Sequence, residues 1–202
     1  MSKTTNIVFD LGNVLIDWDP RHLYRKLLPN ETEMKWFLEN VCNDEWNIKH
    51  DKGQSFDKGI SELSKLYPQY TDLIKNWFDR WEEMLGGPIE DTVELLAELK
   101  KLGFPLYILS NWSAETFPKA EAIYEFLKWF DGKIISGEVG KIKPDPEIFH
   151  ILTNTYNLNP ENSVFIDDKL KNIEAANLIG FQGIHFKNAV SLRNDLRKVK
   201  LI

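Results

Sequence analysis

Cysteine is almost missing from this chain: Cys42 stands alone. One thiol forms no internal disulfide and no cysteine-based metal cage, so Cys42 is expected as a small buried apolar residue. Histidine is scarce, and His50, His150 and His185 lack metal-ligand spacing. A surplus of positive charge is missing too. The 25 Lys and Arg face 31 Asp and Glu for a net charge of −6, which argues against a nucleic-acid or anionic-membrane surface, since both need clustered basic residues. No apolar run approaches the ~20 residues that span a bilayer. Met1-Ser2-Lys3 runs directly into an apolar segment, which leaves no room for a leader. Repeats and low-complexity stretches are absent as well. These exclusions point to a soluble cytoplasmic protein; a monomer or weak dimer is expected.

What is present is 202 residues, 43% hydrophobic and 28% charged. That is ordinary globular composition, enough for one domain with a sizeable core and a smaller insert. The most informative run is Asn6-Ile7-Val8-Phe9-Asp10-Leu11-Gly12-Asn13. A strand-prone apolar stretch ends at an aspartate, and a Gly- and Asn-containing turn follows at once. From Arg21 to Met84 no strand is predicted. Helical stripes recur instead: Leu23, Leu27 and Leu28; Met34, Phe37, Leu38 and Val41; Ile60, Leu63, Leu66 and Tyr67; Ile74, Trp77, Phe78, Trp81 and Leu85. Most tryptophans of this block are expected to pack between helices. Gly86-Gly87-Pro88 then reads as a break, a hinge or domain boundary.

Past that break, strands and helices alternate. Helices are predicted at Thr92–Leu102, stopped by Gly103; at Glu115–Leu127, interrupted by Pro118; after Asp145-Pro146, a cap followed by proline at the first helical position; and after Asp168, stopped by Gly180. Strands are predicted at Leu106–Leu109, Lys133–Ile135, Ser163–Ile166 and Gly183–Phe186. Alternation of this kind implies a doubly wound parallel α/β sheet with right-handed crossovers. Its first strand precedes the helical block, so residues 1–17 and 88–202 form the core and 18–87 an inserted helical domain.

Asp10, Ser110-Asn111 and Asp167-Asp168 all close strands, and parallel strands bring such ends to one rim, where ligands bind. Carboxylates with little else suit Mg²⁺, a hard cation that needs few protein oxygens. Lys143 and a hydroxyl beside it suit a phosphoryl group, and an aspartate there can serve as nucleophile.

Asp10-Leu11-Gly12-Asn13-Val14-Leu15, Leu109-Ser110-Asn111, Lys143-Pro144-Asp145-Pro146 and Phe165-Ile166-Asp167-Asp168 resemble, in order, the four motifs of the haloacid dehalogenase superfamily of hydrolases. The resemblance covers essentially the whole chain, including a helical cap after the first motif. It implies a Mg²⁺ phosphatase of a small phosphorylated metabolite. Asp10 corresponds to the nucleophile and a metal ligand, Ser110 to the phosphate-binding hydroxyl, and Lys143, rather than Lys141, to the lysine that pairs with both. Asp167 and Asp168 correspond to the acidic pair that holds the metal, joined by the Gly12 carbonyl, with Asn172 orienting their loop. Asn111, Trp112 and Arg21 are expected to meet substrate, Arg21 through its guanidinium, and Trp18 also to face the site.

One departure bears on mechanism. Most phosphatases of the superfamily carry a second aspartate, the general acid and base, where this chain has Gly12. Three readings follow: a substrate with a good leaving group, a substitute such as Asp17 or His22, or lost phosphatase chemistry in a protein that only binds a phosphometabolite or partner. The Asp-Leu-Gly-Asn-Val form resembles a bacterial branch that includes glucose-1-phosphate phosphatases, which favours the first two. A metal-independent 2-haloacid dehalogenase is the alternative; it also lacks that aspartate, and Ser110-Asn111 suits it. Asp167-Asp168 does not, because adjacent carboxylates near Asp10 without a cation repel.

Overall fold

The computed structural model describes residues 5–202, so the expectation that rests on Met1-Ser2-Lys3 lies outside the described residues. The chain opens with β1 (Asn6–Phe9) and β2 (Ile16–Trp18), then enters five helices: α1 (Arg21–Leu27), α2 (Glu31–Asn40), α3 (Asp44–Asp51), α4 (Phe56–Leu66) and α5 (Thr71–Asp79). It returns through β3 (Leu85–Pro88), α6 (Glu90–Lys101), β4 (Leu106–Ser110), α7 (Phe117–Ile123), β5 (Gly132–Ile135) and the short α8 (Ser136–Val139). It closes with α9 (Pro146–Tyr156), β6 (Ser163–Asp167), α10 (Leu170–Ile179), β7 (Gln182–His185) and α11 (Ala189–Lys198). Among the described residues no helix is long and apolar enough to cross a membrane.

Five strands form one parallel sheet in the order β5-β4-β1-β6-β7. Side chains of β1 alternate between two faces. Ile7 and Phe9 enter a core with Leu106, Ile108, Val164 and Ile166, while Val8 packs on the other face with Leu109, Phe149 and Phe165. Burial on both faces explains why the strand reads as a continuous apolar run. The chain goes from β1 to β4 on one side and later to β6 on the other. The carboxyl ends of these three strands therefore flank the crevice where strand order reverses.

Local signals hold where they are strong. Asp145 caps α9 by accepting a hydrogen bond from the Glu147 N–H at 3.0 Å, with Pro146 at the first helical position. Gly180 ends α10 at φ +104°. Cys42 is buried, as expected.

Three expectations change. Gly86-Gly87-Pro88 lies in a strand rather than a break in regular structure: β3 pairs antiparallel with β2, so entry to and exit from the helical insertion are tied together. Pro118 does not interrupt a helix but stands in the first turn of α7, where its missing N–H costs nothing. Leu66 is 73% exposed, outside the packed stripe of α4. Inside the insertion Tyr24, Phe37, Trp46, Phe56, Ile74 and Trp77 are buried, with Trp46 and Trp77 edge to face at 5.4 Å.

Candidate active site

Asp10 follows β1, and the turn after it wraps tightly: the N–H groups of Leu15 and Ile16 donate to the Leu11 carbonyl at 2.8 and 3.0 Å. Asn13 takes φ +58°, a left-handed conformation that asparagine tolerates better than most residues. This turn fixes the Asp10 carboxylate. Its Oδ1 accepts from the Leu11 N–H at 2.7 Å and from the Ser110 hydroxyl at 2.7 Å, and lies 2.9 Å from Lys143 Nζ. Oδ2 carries no hydrogen bond among the described residues.

Lys143 is 1% exposed and sits between two carboxylates, donating to Asp167 Oδ2 at 2.7 Å as well. Burial alone would lower its pKa, but Asp10 and Asp167 outweigh it and push the ammonium above its ordinary value. Its backbone is clamped by Asn111, whose Nδ2 donates to the Lys143 carbonyl at 3.0 Å and whose Oδ1 accepts the Lys143 N–H at 2.8 Å. Asn111 thus spends its amide on holding the lysine loop. Lys141 pairs with Glu147 at the surface.

Asp167 and Asp168 differ sharply. Both oxygens of Asp167 are engaged: Oδ1 accepts from the Lys169 N–H and Asn172, Oδ2 from Lys143 and Asn172. Burial raises this carboxyl to about 6 against the pull of Lys143. Asp168 has a buried Oδ1 without a hydrogen-bond partner among the described residues. Burial raises its pKa, and the negative charge of Asp10 adds to the rise. Ligand atoms of Asp10, Asp167 and Asp168 lie within 4.8 Å of one another. The oxygens left uncommitted belong to Asp10 and Asp168, whereas Asp167 anchors Lys143. An orphaned buried carboxylate oxygen is costly, and a hard divalent cation is the partner whose chemistry fits this oxygen set.

Asp10, Lys143 and Asp168 line a cavity of about 320 Å³ together with Gly12, Asn111, Trp112 and, from the insertion side, Trp18, Asp51, Phe56 and Trp81. Trp112 Nε1 donates to Thr116 Oγ1 at 3.1 Å, and its ring packs on Trp81 at 5.6 Å. Its loop is pinned by Gly137, whose N–H donates to the Trp112 carbonyl at 3.0 Å. A Cβ at Gly137 would stand 2.4 Å from the Ala114 nitrogen and 2.8 Å from the Trp112 oxygen, both backbone atoms. Gly137→Ala is therefore expected to destabilise the fold by about 1–3 kcal/mol. Urea unfolding with an unchanged m-value checks this, and an unaltered midpoint would show that the loop has slack.

Arg21 is not brought to the site. Its guanidinium donates to Asp19 at 2.9 and 2.7 Å on the surface, because Asp19, which also accepts the Arg21 N–H, is the nearer anion. Asp17 and His22 are not brought there either. They pair with each other at 3.0 Å, and neither lines the cavity. The residue sequence reasoning missed is Asp51. Its helix α3 buries only Trp46 and His50, too narrow a stripe for periodicity to register. The start and stop were nonetheless readable: Asn43 caps the helix through the Trp46 N–H, and Gly53 follows its end at φ +94°.

A family model described as haloacid dehalogenase-like hydrolase matches residues 4–180. The chain belongs to that family. A sesquiterpene phosphatase of Aspergillus oryzae is 24% identical over 203 residues, 95% of this chain and 94% of that protein. The chain also matches mammalian bifunctional epoxide hydrolases, spanning 19% to 24% of their length. Among solved structures, a haloacid dehalogenase family enzyme of Bacteroides thetaiotaomicron in complex with magnesium and inorganic phosphate superposes with a TM-score of 0.66 at 22% identity, covering 92% of this chain and 95% of that one. L-2-haloacid dehalogenase of Xanthobacter autotrophicus gives 0.65 at 16%, covering 98% and 84%. Fold likeness alone does not separate the two chemistries within this haloacid dehalogenase-like family; the side chains must.

Proposed function

We propose that this haloacid dehalogenase-like hydrolase is a Mg²⁺-dependent phosphatase of a small phosphomonoester, a sugar phosphate among the candidates, acting through a phosphoaspartate on Asp10. The observation that carries the reading is the partnerless, buried Oδ1 of Asp168 beside Asp10. Three carboxylates around one lysine leave net negative charge in a buried site, which a dehalogenase has no use for and a cation neutralises. The phosphatase name of the full-length Aspergillus relative supports the same reading.

Asp10 and Asp168, with the Gly12 carbonyl, would hold the ion, which supplies positive charge against the phosphoryl oxygens. Asp10, already oriented by Ser110 and the Leu11 N–H, attacks phosphorus as the P–O bond to the leaving group breaks. Lys143 has three N–H donors; Asp10 and Asp167 take two, and the third meets a phosphoryl oxygen. The Ser110 hydroxyl turns from Asp10 to the same group. Asp167 acts through Lys143, which it holds in place. Water then hydrolyses the phosphoaspartate, releasing inorganic phosphate. Residues 18–87 serve as the cap, with Trp18 and Trp81 beside Trp112 over the bound ester, excluding bulk water.

Phosphate release from p-nitrophenyl phosphate and a sugar-phosphate panel, with Mg²⁺ and with EDTA, tests the reading. Release that survives EDTA unchanged would remove the metal from the reading, and halide freed from 2-chloropropionate without metal would overturn it in favour of the dehalogenase, which Gly12 and Ser110-Asn111 also suit. Asp168→Ala is expected to weaken Mg²⁺ binding by more than about 10-fold in calorimetric titration. Unchanged affinity would place the ion elsewhere.

A further inference from the structure

Position 12 of this site carries no carboxylate, and packing is not the reason. A Cβ built on Gly12 has no heavy atom within 4 Å, and Gly12 is not among the positive-φ glycines. Phosphoryl transfer from an alkyl ester still needs a proton for the departing alkoxide, since an alkoxide is a poor leaving group at neutral pH. The remaining acids that line the cavity are Asp44 and Asp51. Of the two, Asp51 stands at the end of α3, next to the turn that abuts the core, and its carboxyl feels the charges of Asp10 and Lys143.

Asp51 is also held firmly relative to the core. It ends α3, and the turn that follows abuts α8: a Cβ at Gly53 would lie 3.0 Å from the Gly137 carbonyl oxygen. The preceding residue, His50, is fully buried, stacks on Phe56 at 4.0 Å between ring centres and bonds the Gln54 carbonyl through Nδ1 at 3.0 Å. The Phe56 N–H in turn donates to Glu115 of the core at 3.0 Å. Asp51 is not part of the carboxylate cluster formed by Asp10, Asp167 and Asp168. A carboxyl that lines the cavity from the insertion side, on a helix end braced against the core and separate from the cation-binding cluster, can serve as proton donor to a leaving group bound there.

Resting on the phosphatase reading above, we propose that Asp51 is the general acid and base of this site, supplied by the cap in place of the carboxylate missing at Gly12. As Asp10 forms its bond to phosphorus and the P–O bond to the leaving group breaks, the Asp51 carboxyl gives its proton to the departing oxygen, which leaves as the alcohol. The Asp51 carboxylate then takes a proton from the water that attacks the phosphoaspartate. The P–O bond to Asp10 breaks, inorganic phosphate leaves, and both aspartates return to their starting states.

The charged side chains sharing the cavity with Asp51 are Asp10, Asp44, Lys143, Asp168, Lys169 and Lys171. Burial pushes the Asp51 carboxyl up to about 7; Lys169 and Lys143 oppose the rise and Asp10 adds to it. A carboxyl titrating near neutrality is available in both protonation states, as an acid that becomes a base must be.

Asp51→Asn is measured with Mg²⁺ on two esters: p-nitrophenyl phosphate, whose phenolate leaves without a proton, and an alkyl phosphate, whose alkoxide does not. The kcat/KM for the alkyl ester should fall about 10²–10³-fold, and that for p-nitrophenyl phosphate by less than about 10-fold. A second carboxyl at the vacant position, in Gly12→Asp/Asp51→Asn, should recover alkyl phosphate turnover at least in part, as the open space there permits. Equal losses on both esters would reveal a binding or structural role and overturn the assignment, as would an alkyl phosphate rate left intact. A double variant no better than Asp51→Asn also counts against it. Failure of the underlying reading looks different: the unmodified protein would then release no phosphate from p-nitrophenyl phosphate at all.

Discussion

Asp10→Asn is expected to lower phosphatase turnover by roughly 10⁴-fold or more, the scale seen when a covalent nucleophile is removed, while the protein stays folded. Asparagine keeps the shape of the side chain, and its amide oxygen can still accept from the Leu11 N–H and the Ser110 hydroxyl, both at 2.7 Å in the native site. What it lacks is an anionic oxygen able to form and release an acyl phosphate. Lys143 loses one of two carboxylate partners but keeps Asp167 at 2.7 Å, so no buried ammonium is stranded. The decisive measurement is an acid-quenched single turnover read by peptide mass spectrometry. The native protein should carry one phosphoryl group on the peptide containing Asp10, and the variant none. A variant with full activity, or an adduct on another residue, would move the nucleophile elsewhere.

Lys143→Met should have the largest effect on stability, about 3–5 kcal/mol and so roughly 10 °C in Tm for a chain of this length. The side chain volume is preserved, but two carboxylates, 10% and 0% exposed, are left facing each other without their shared cation. The penalty comes from stranding charge rather than from losing attraction. Asp167→Asn added to Lys143→Met should therefore recover part of the loss, because removing both ends of a buried pair costs less than removing one. Purely additive losses, measured by urea unfolding, would contradict this picture. The pH dependence has a definite sign. The two carboxylates hold the Lys143 ammonium above its ordinary value of 10.5 despite burial. On the lysine's side the stabilisation is thus complete below that ordinary value and lost as pH rises through the higher folded-state value. The methionine variant should lack this alkaline limb.

Both predictions rest on residues whose importance is visible in the chain itself. Asp10, Ser110, Asp167 and Asp168 each close a run of strand-forming apolar residues, and a parallel sheet brings such ends to one rim. Lys143 stands beside a proline and a helix cap. These are short-range signals of periodicity, capping and turn chemistry, and the α/β core follows from them because each strand is buried on both faces and each helix has a clear start or stop. The same holds for Pro118 only when its place in the first turn is known, and for Gly86-Gly87-Pro88 not at all. Its conversion into a strand depends on Ile16–Trp18 lying alongside, some seventy residues away in sequence.

What a carboxylate or guanidinium does, beyond being present, was decided by tertiary structure. Arg21 looked suited to an anionic substrate, yet an aspartate two residues away takes its guanidinium first, and proximity outweighs charge type. Asp167 and Asp168 are neighbours of identical chemistry, yet one is saturated by Lys143, Asn172 and a backbone N–H while the other keeps a bare oxygen. Only packing distinguishes them. Asp51 sits on the least amphipathic helix of the insertion and reaches the cavity because His50, Phe56 and Gly53 lock the end of that helix against the core. Sequence by itself determined the strands, the helices and the chemical inventory, because those follow from local periodicity, capping and residue type. Which acid keeps a bare oxygen and which holds the lysine depends on contacts across the chain, Lys143 and Asp167 being 24 residues apart in sequence, and Asp51 lines the cavity only through the docked insertion.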